Sequence, residues 1–171
     1  GRYDAEITTD IVAKPRNRVA VDILIDEGSV AKIAKINVVG NKYYSDQQIL
    51  DLMELKDRGL LNSIRGKKKY SREKLSGDLE TINDFYLNRG YIQFRLKAAQ
   101  VSVDPNKDSV YVTINIDEGE QFKVNIVELA GDVKDQADTL ESVFLLAKGA
   151  IFSQAMVTRT EEVMKRVMGN E

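Results

Sequence analysis

The sequence has no cysteine, no histidine and no tryptophan among its 171 residues, and only two prolines. Without cysteine there are no disulfides, no thiol nucleophile and no thiolate metal site. Without histidine the chain lacks the commonest general base and metal ligand at neutral pH. We therefore predict no catalytic residues, no metal and no cofactor. The absence of cysteine suits a reducing compartment or a cysteine-free periplasmic protein.

Long hydrophobic runs and strong net charge are also missing. The sequence has no stretch of 18 apolar residues and no signal peptide, which predicts a soluble piece or a mature, trimmed protein. The net charge of -2 gives no general reason to expect binding to nucleic acid or to an anionic membrane.

An internal repeat organises the chain. Ile25-Asp26-Glu27-Gly28 returns as Ile116-Asp117-Glu118-Gly119, at an offset of 91 positions, and the segments that follow each copy also match. A fixed period of this kind is typical of tandem structural units. A β-hairpin is predicted before each copy, because apolar and polar residues alternate on both sides of a turn.

The two predicted hairpins differ in one detail. The earlier one turns at Pro15-Arg16-Asn17, and the later one turns at 104–108. In the later hairpin the apolar phase shifts by one residue, which predicts a β-bulge near Ala98-Ala99-Gln100.

Between the hairpins the pattern predicts a strand over 32–40 and two helices. The first helix is capped at Ser45, with Gln48 completing a capping box, and the second begins at Ser71 and ends at Gly90. The intervening segment 56–69 has no clear period and is predicted to be a long loop.

These elements predict an α+β fold of tandem β-α-α-β-β repeats, in which two antiparallel helices cover one face of a three-stranded sheet. After Gly119 the pattern restarts with a strand over 122–130. A helix follows that carries Leu140, Val143, Phe144 and Ala147, and then one capped at Ser153. The predicted domains are a hairpin at 1–29, a complete repeat at 30–119 and a β-α-α part at 120–171.

The two partial repeats are complementary. Residues 120–171 have helices without the strands they should cover, and residues 1–28 have strands without helices. We predict that 120–171 of one chain docks on 1–28 of another, as in a domain swap, or on 1–28 of the same chain if the linkers allow.

Three segments of this sequence resemble a known family. INVVGNKYYSDQQIL, GDLETINDFYLNRGYIQFRL and VTINIDEGEQFKV are similar to the polypeptide-transport-associated (POTRA) repeats of outer-membrane protein assembly factors. The resemblance covers essentially the whole chain. It implies the end of a second repeat, a complete third repeat and the start of a fourth.

The resemblance also implies a location and partners. The location is the periplasm of a Gram-negative bacterium, and the partners are unfolded outer-membrane β-barrel precursors and assembly lipoproteins. The family sheet is mixed and has its last strand in the middle, which implies that the strand beginning at Tyr91 lies on an edge. An edge strand can bind an extended peptide through its backbone.

The predicted binding strand is therefore our candidate site; the alternative is a solvated edge whose charges and bulge prevent aggregation. Its residues are Tyr91, Gln93, Phe94, Arg95, Lys97, Ala98, Ala99, Gln100, Val101 and Val103. Gly28 and Gly119 are predicted to be hinges between repeats.

Other clusters of polar and aromatic residues are weaker candidates for a site. The basic residues Arg65, Lys67, Lys68, Lys69, Arg72 and Lys74 could attract acidic partners or lipid headgroups, but such a run is more often a solvated loop. They also support the alternative function, an RNA-binding α+β module. The acidic pairs Asp26-Glu27 and Asp117-Glu118 recur at both repeat junctions, so they are predicted to mark strand exits rather than a metal site. Tyr43, Tyr44, Tyr70, Phe85 and Tyr86 follow the helical spacing and are predicted to belong to the core.

Overall fold

The computed structural model describes residues 6–26, 32–55, 70–105, 109–131 and 137–169. The strands are β1 (Glu6–Lys14), β2 (Arg18–Asp26), β3 (Lys32–Val39), β4 (Arg95–Val103) and β5 (Ser109–Asp117). The helices are α1 (Asp46–Leu52), α2 (Arg72–Leu87), α3 (Ala137–Ser142) and α4 (Gln154–Val167).

The first hairpin forms as predicted. β1 and β2 are antiparallel and pair from Glu6 with Asp26 to Lys14 with Arg18. Arg16 and Asn17 take positive φ values of 65° and 52° in the turn. Asparagine tolerates this conformation better than most residues, which explains why the chain reverses here.

The central unit contains β3, α1, α2, β4 and β5. Its sheet has the order β3-β5-β4, with β3 parallel and β4 antiparallel to β5. The core-facing side chains of β5 are fully buried: Val110, Val112, Ile114 and Ile116. Since α1 and α2 supply Ile49, Leu75, Ile82 and Tyr86 to the same core, the predicted α+β class with a mixed three-stranded sheet is confirmed.

Local hydrogen bonds fix where the helices begin. The Ser45 hydroxyl accepts from the Gln48 N–H and the Gln48 side chain accepts from the Ser45 N–H, so the predicted capping box is present. The Ser71 hydroxyl accepts from the Lys74 N–H in the same way. Buried Asp78 joins the helices, because its carboxylate accepts from the backbone N–H groups of residues 54 and 55 at 2.6 and 2.9 Å.

The segment after Gly119 repeats only part of this arrangement. The predicted strand over 122–130 is wrong, since only an isolated bridge between Lys123 and Ile151 forms there. A strand needs a hydrogen-bonded neighbour, and no described residue pairs with 125–130. α3 is also shorter than predicted and ends before Val143.

Candidate functional site

β4 lies at one edge of the central sheet. The strand order places β5 on one of its sides, and in the ranges that the structure describes no strand pairs with the other side. Most of the predicted site residues belong to this strand: Arg95, Lys97, Ala98, Ala99, Gln100, Val101 and Val103.

The prediction that the strand begins at Tyr91 is wrong. Tyr91, Gln93 and Phe94 lie in a turn that precedes β4, because the Tyr91 N–H donates to the Tyr86 carbonyl and the Phe94 N–H donates to the Tyr91 carbonyl. Tyr91 and Phe94 are buried in the core, and the Phe94 ring stacks on Tyr86 with centroids 4.3 Å apart. They belong to the core and are not part of the edge strand.

The bulge sits at Lys97, one position before the predicted segment. Leu96 pairs with Ile116 and Ala98 pairs with Asn115, which leaves Lys97 as the extra residue. Its Nζ lies 3.2 Å from the Asp117 carboxylate, and Arg95 lies 3.3 Å from the same group. The hydrogen bond from Lys97 lowers the pKa of Asp117 below its usual value, so this end of the edge carries two cations around one anion.

The backbone N–H and C=O groups of β4 point alternately towards β5 and towards the open side of the sheet. The Asp104 N–H donates to the Ser109 carbonyl, and the register is unbroken from Ala98 to Val103. Hydrogen-bonded and non-hydrogen-bonded pairs alternate in an antiparallel ladder. Ala99, Val101 and Val103 are therefore the residues whose N–H and C=O groups point away from β5.

The side chains at this edge also alternate. Val101 and Val103 pack against the core and Leu96 is 39% exposed beside Ile116. Gln100 and Ser102 lie on the opposite face. The predicted site does not include Leu96 and Ser102, although both lie within the alternating segment of the sequence.

Glu118 anchors the end of the central strand. This carboxylate is 2% exposed; it accepts from the Tyr86 hydroxyl at 2.7 Å and from the N–H groups of Lys42 and Tyr43 at 2.7 and 3.0 Å. Burial, and then the hydrogen bond to Glu118, raise the pKa of Tyr86 far above its usual value. The acidic pair thus contributes to the strand exit as predicted, with Asp117 outside and Glu118 inside.

The raised pKa of Tyr86 predicts a loss of stability in alkali. An unfolded tyrosine loses its proton near pH 10, while folded Tyr86 keeps its proton. The contribution of Tyr86 to the free energy of unfolding is therefore complete below about pH 10 and decreases above it. We expect Tyr86→Phe to show a smaller fall in the free energy of unfolding between about pH 9 and about pH 11. Urea unfolding at both pH values measures this; equal falls in the two proteins would contradict it.

The central unit contacts the following segment directly. The Phe122 N–H donates to the Gly90 carbonyl at 2.8 Å, and the Gln121 side chain donates to the Arg89 carbonyl at 2.9 Å. The Asn88 side chain accepts from the Ala155 N–H at the start of α4 at 2.7 Å. These bonds join the residues on the two sides of Gly119, whose hinge role stays a prediction, and Gly28 lies outside the described residues.

The structure adds little support for the remaining candidate sites, which are the basic cluster and a metal site. Arg65, Lys67, Lys68 and Lys69 lie outside the described residues, and Lys74 forms an ion pair with Glu54. Among the described residues, no three acidic side chains converge as metal ligands would. No described helix is long and apolar enough to cross a membrane.

Comparison with known proteins gives consistent matches. The POTRA family profile, described as "Surface antigen variable number repeat", matches residues 31–119. The chain is 29% identical over 171 residues to the outer membrane protein assembly factor BamA of Neisseria meningitidis, covering 99% of this chain and 22% of the relative. It is 33% identical over 125 residues to BamA of Buchnera aphidicola, covering 73% of this chain and 20% of the relative.

A solved structure is also similar. The crystal structure of Haemophilus influenzae BamA POTRA3-5 matches 80% of this chain and 54% of that chain, with 26% identity and a TM-score of 0.67. The chain spans about a fifth of the length of the two curated relatives.

Proposed function

This chain belongs to the POTRA family, and from that membership we propose that it is a periplasmic binding module of the machinery that assembles outer-membrane proteins. Residues 30–119 are its complete repeat, and 1–29 and 120–171 contribute parts of the neighbouring repeats. The module binds unfolded β-barrel precursors by adding one of their strands to β4.

The open side of β4 supports this function. Ala99, Val101 and Val103 direct three N–H groups and three C=O groups away from β5. A guest strand that pairs with these groups reads the backbone of β4 and not its side chains. The small side chains of Ala98 and Ala99 leave room for a close approach. Such a site accepts many different client sequences.

The two faces of the edge define the chemistry of the guest. On the helix-covered side the guest meets Leu96, Val101 and Val103, and on the other side it meets Gln100 and Ser102. The best guest therefore alternates apolar and polar residues. Strands of transmembrane β-barrels have this alternation over about ten residues, so a barrel precursor supplies suitable guests before it folds.

Assembly lipoproteins of the same complex are a second class of partner. They require only an extended segment with free backbone groups to use the same edge. Competition between a lipoprotein and a barrel-strand peptide for the chain tests whether the two share β4.

An NMR titration tests the proposed function. The probe is a synthetic peptide of alternating apolar and polar residues taken from a barrel strand. We expect the amide resonances of Ala99, Val101 and Val103 to shift, while those of β3, at the opposite edge of the sheet, stay unchanged. Shifts confined to β3, or no shifts at saturating peptide, would refute it.

Ala99→Pro should abolish peptide binding without unfolding the chain. Proline removes the N–H that points to the guest, and it is tolerated on an edge strand where that N–H is not needed for the ladder. Ala99→Thr is the matched control, because it keeps the N–H and suits a strand. Binding is measured by fluorescence anisotropy of a labelled peptide, and circular dichroism checks the fold.

Gln100→Pro is the contrasting proline variant, at the neighbouring residue of β4. Its N–H points towards β5, so this proline breaks the ladder and should destabilise the sheet.

Equal peptide affinity of the Ala99→Pro and Ala99→Thr variants would show that the β4 backbone does not bind the guest.

A further inference from the structure

The edge strand β4 carries its charged side chains at one end only. Arg95 and Lys97 lie where the strand begins, and residues 98–103 have no charged side chain. The neighbouring residues 111–115 of β5 are uncharged as well. An acidic residue, Asp104, follows the other end of the strand. The two ends of the edge therefore differ in the sign of their charge.

The two cations share one carboxylate. The Lys97 Nζ and a guanidinium nitrogen of Arg95 lie 3.2 and 3.3 Å from the same oxygen, Oδ2 of Asp117. Two positive charges around one negative charge leave this end of the edge with a net positive charge. The Arg95 and Lys97 side chains are 75 and 54% exposed, so both can also contact a carboxylate on the open side of β4.

A guest strand at this edge lies closer to the cations than to Asp117. Neighbouring strands are about 4.8 Å apart, so the guest is one spacing from β4 and two spacings from β5, which carries Asp117. The interaction between two charges weakens as their separation increases. A guest carboxylate is therefore attracted by Arg95 and Lys97 more strongly than it is repelled by Asp117.

The bulge defines which guest residue meets the cations. The ladder of β4 is regular from Ala98 to Val103 and is interrupted by the extra residue Lys97, so the last regular position of a guest lies opposite Ala98. The small side chain of Ala98 leaves room for a longer guest side chain above it. That side chain lies beside Lys97, and Arg95 is its diagonal neighbour, at about 7–8 Å between backbones.

We propose that Arg95 and Lys97 bind an acidic side chain of the guest strand and hold the guest antiparallel to β4. This inference rests on the proposed function and adds the direction and the register of the guest. Antiparallel pairing is slightly more stable per residue than parallel pairing, and it places the C-terminal end of the guest beside the start of β4. The preferred guest is a strand of alternating apolar and polar residues whose last polar residue, opposite Ala98, is Asp or Glu.

A double-mutant cycle between chain and guest tests the charge pairing. Two fluorescent barrel-strand peptides, acetylated and amidated at their ends, differ only in carrying Glu or Gln at the last polar position. Wild type should bind the Glu peptide about threefold or more tightly, as expected for exposed ion pairs. The double variant Arg95→Gln, Lys97→Gln should lose this preference.

The matched control is the double variant Lys32→Gln, Lys35→Gln. It removes the same charge from β3, at the opposite edge of the same sheet, and should keep the preference for the Glu peptide. A spin label on the C-terminal residue of that peptide tests the direction of the guest. It should broaden the amide resonance of Leu96 more strongly than that of Val103.

The outcomes separate this inference from the function on which it rests. Equal affinity of wild type for the two peptides, an equal effect of the two double variants on the preference, or stronger broadening at Val103 would each overturn the inference, while peptide binding at β4 would stand. Binding of neither peptide would overturn the proposed function and this inference with it.

Discussion

Gly40→Ala is expected to lower the free energy of unfolding of the central unit by about 3 kcal/mol or more. Gly40 follows β3 with a φ of +97°, and an added Cβ would lie 2.1 Å from the Ile116 carbonyl oxygen. A left-handed conformation costs an alanine about 1–2 kcal/mol. The overlap adds to this, because β5 is held by strands on both sides and cannot move away. Hydrogen exchange of the β5 amides measures the loss.

Substitutions at two other glycines distinguish the two causes of this loss, the left-handed conformation and the overlap with Ile116. Gly131 occupies the equivalent position of the next unit with a φ of +125°, but among the described residues no atom lies within 4 Å of the added Cβ. Gly131→Ala should therefore cost only the conformational strain, about 1–2 kcal/mol. Gly77 lies inside α2, where no atom of the described part of the chain comes within 4 Å of an added Cβ, and Gly77→Ala should stabilise the helix by up to about 1 kcal/mol. If Gly40→Ala cost no more than Gly131→Ala, the close approach to Ile116 would not matter.

Glu118→Ala should also destabilise the central unit by about 3 kcal/mol. The carboxylate is the acceptor for the Tyr86 hydroxyl and for the N–H groups of Lys42 and Tyr43. A donor that loses its partner in a buried place costs roughly 1–3 kcal/mol. The strand β5, the turn after β3 and the helix α2 would all lose their common anchor. Urea unfolding followed by far-UV circular dichroism gives the free energy by linear extrapolation.

Glu118→Gln and Tyr86→Phe are the matched variants. Glutamine keeps an oxygen for the two N–H groups, and its amide can donate to the Tyr86 hydroxyl oxygen, so it should cost only about 1 kcal/mol. In a double-mutant cycle, Tyr86→Phe should have a smaller effect on the Glu118→Ala background than on wild type. An alanine variant as stable as the glutamine variant would show that these hydrogen bonds contribute little.

Local features were predictable from the residues. The capping box at Ser45, the serine cap at Ser71 and the turn at Pro15-Arg16-Asn17 depend on side chains within a few positions of each other. The shift in apolar phase also predicted a bulge in β4, although the structure places it at Lys97. The extra residue can sit at either of two adjacent positions with little change in the phase, and the ion pairs of Lys97 and Arg95 with Asp117 are consistent with this one.

Features that need distant partners were not predictable in this way. Alternation extended the predicted strand back to Tyr91, but the aromatic cluster around Tyr86 and the hydrogen bond to its carbonyl hold residues 91–94 in a turn. The same kind of pattern over 122–130 predicted a strand that does not form, because a ladder requires a neighbouring strand. The family resemblance implied the order of the strands in the sheet, and the periodicity of the sequence did not.

By itself the sequence determined the repeat, the helices, the hairpins and the apolar face of each, because side-chain spacing and capping act over a few residues. Only the tertiary structure decided which groups of β4 point outwards and that Glu118 is the buried acceptor for three donors. Burial and strand adjacency arise from contacts between segments far apart in the chain, and local spacing does not specify them.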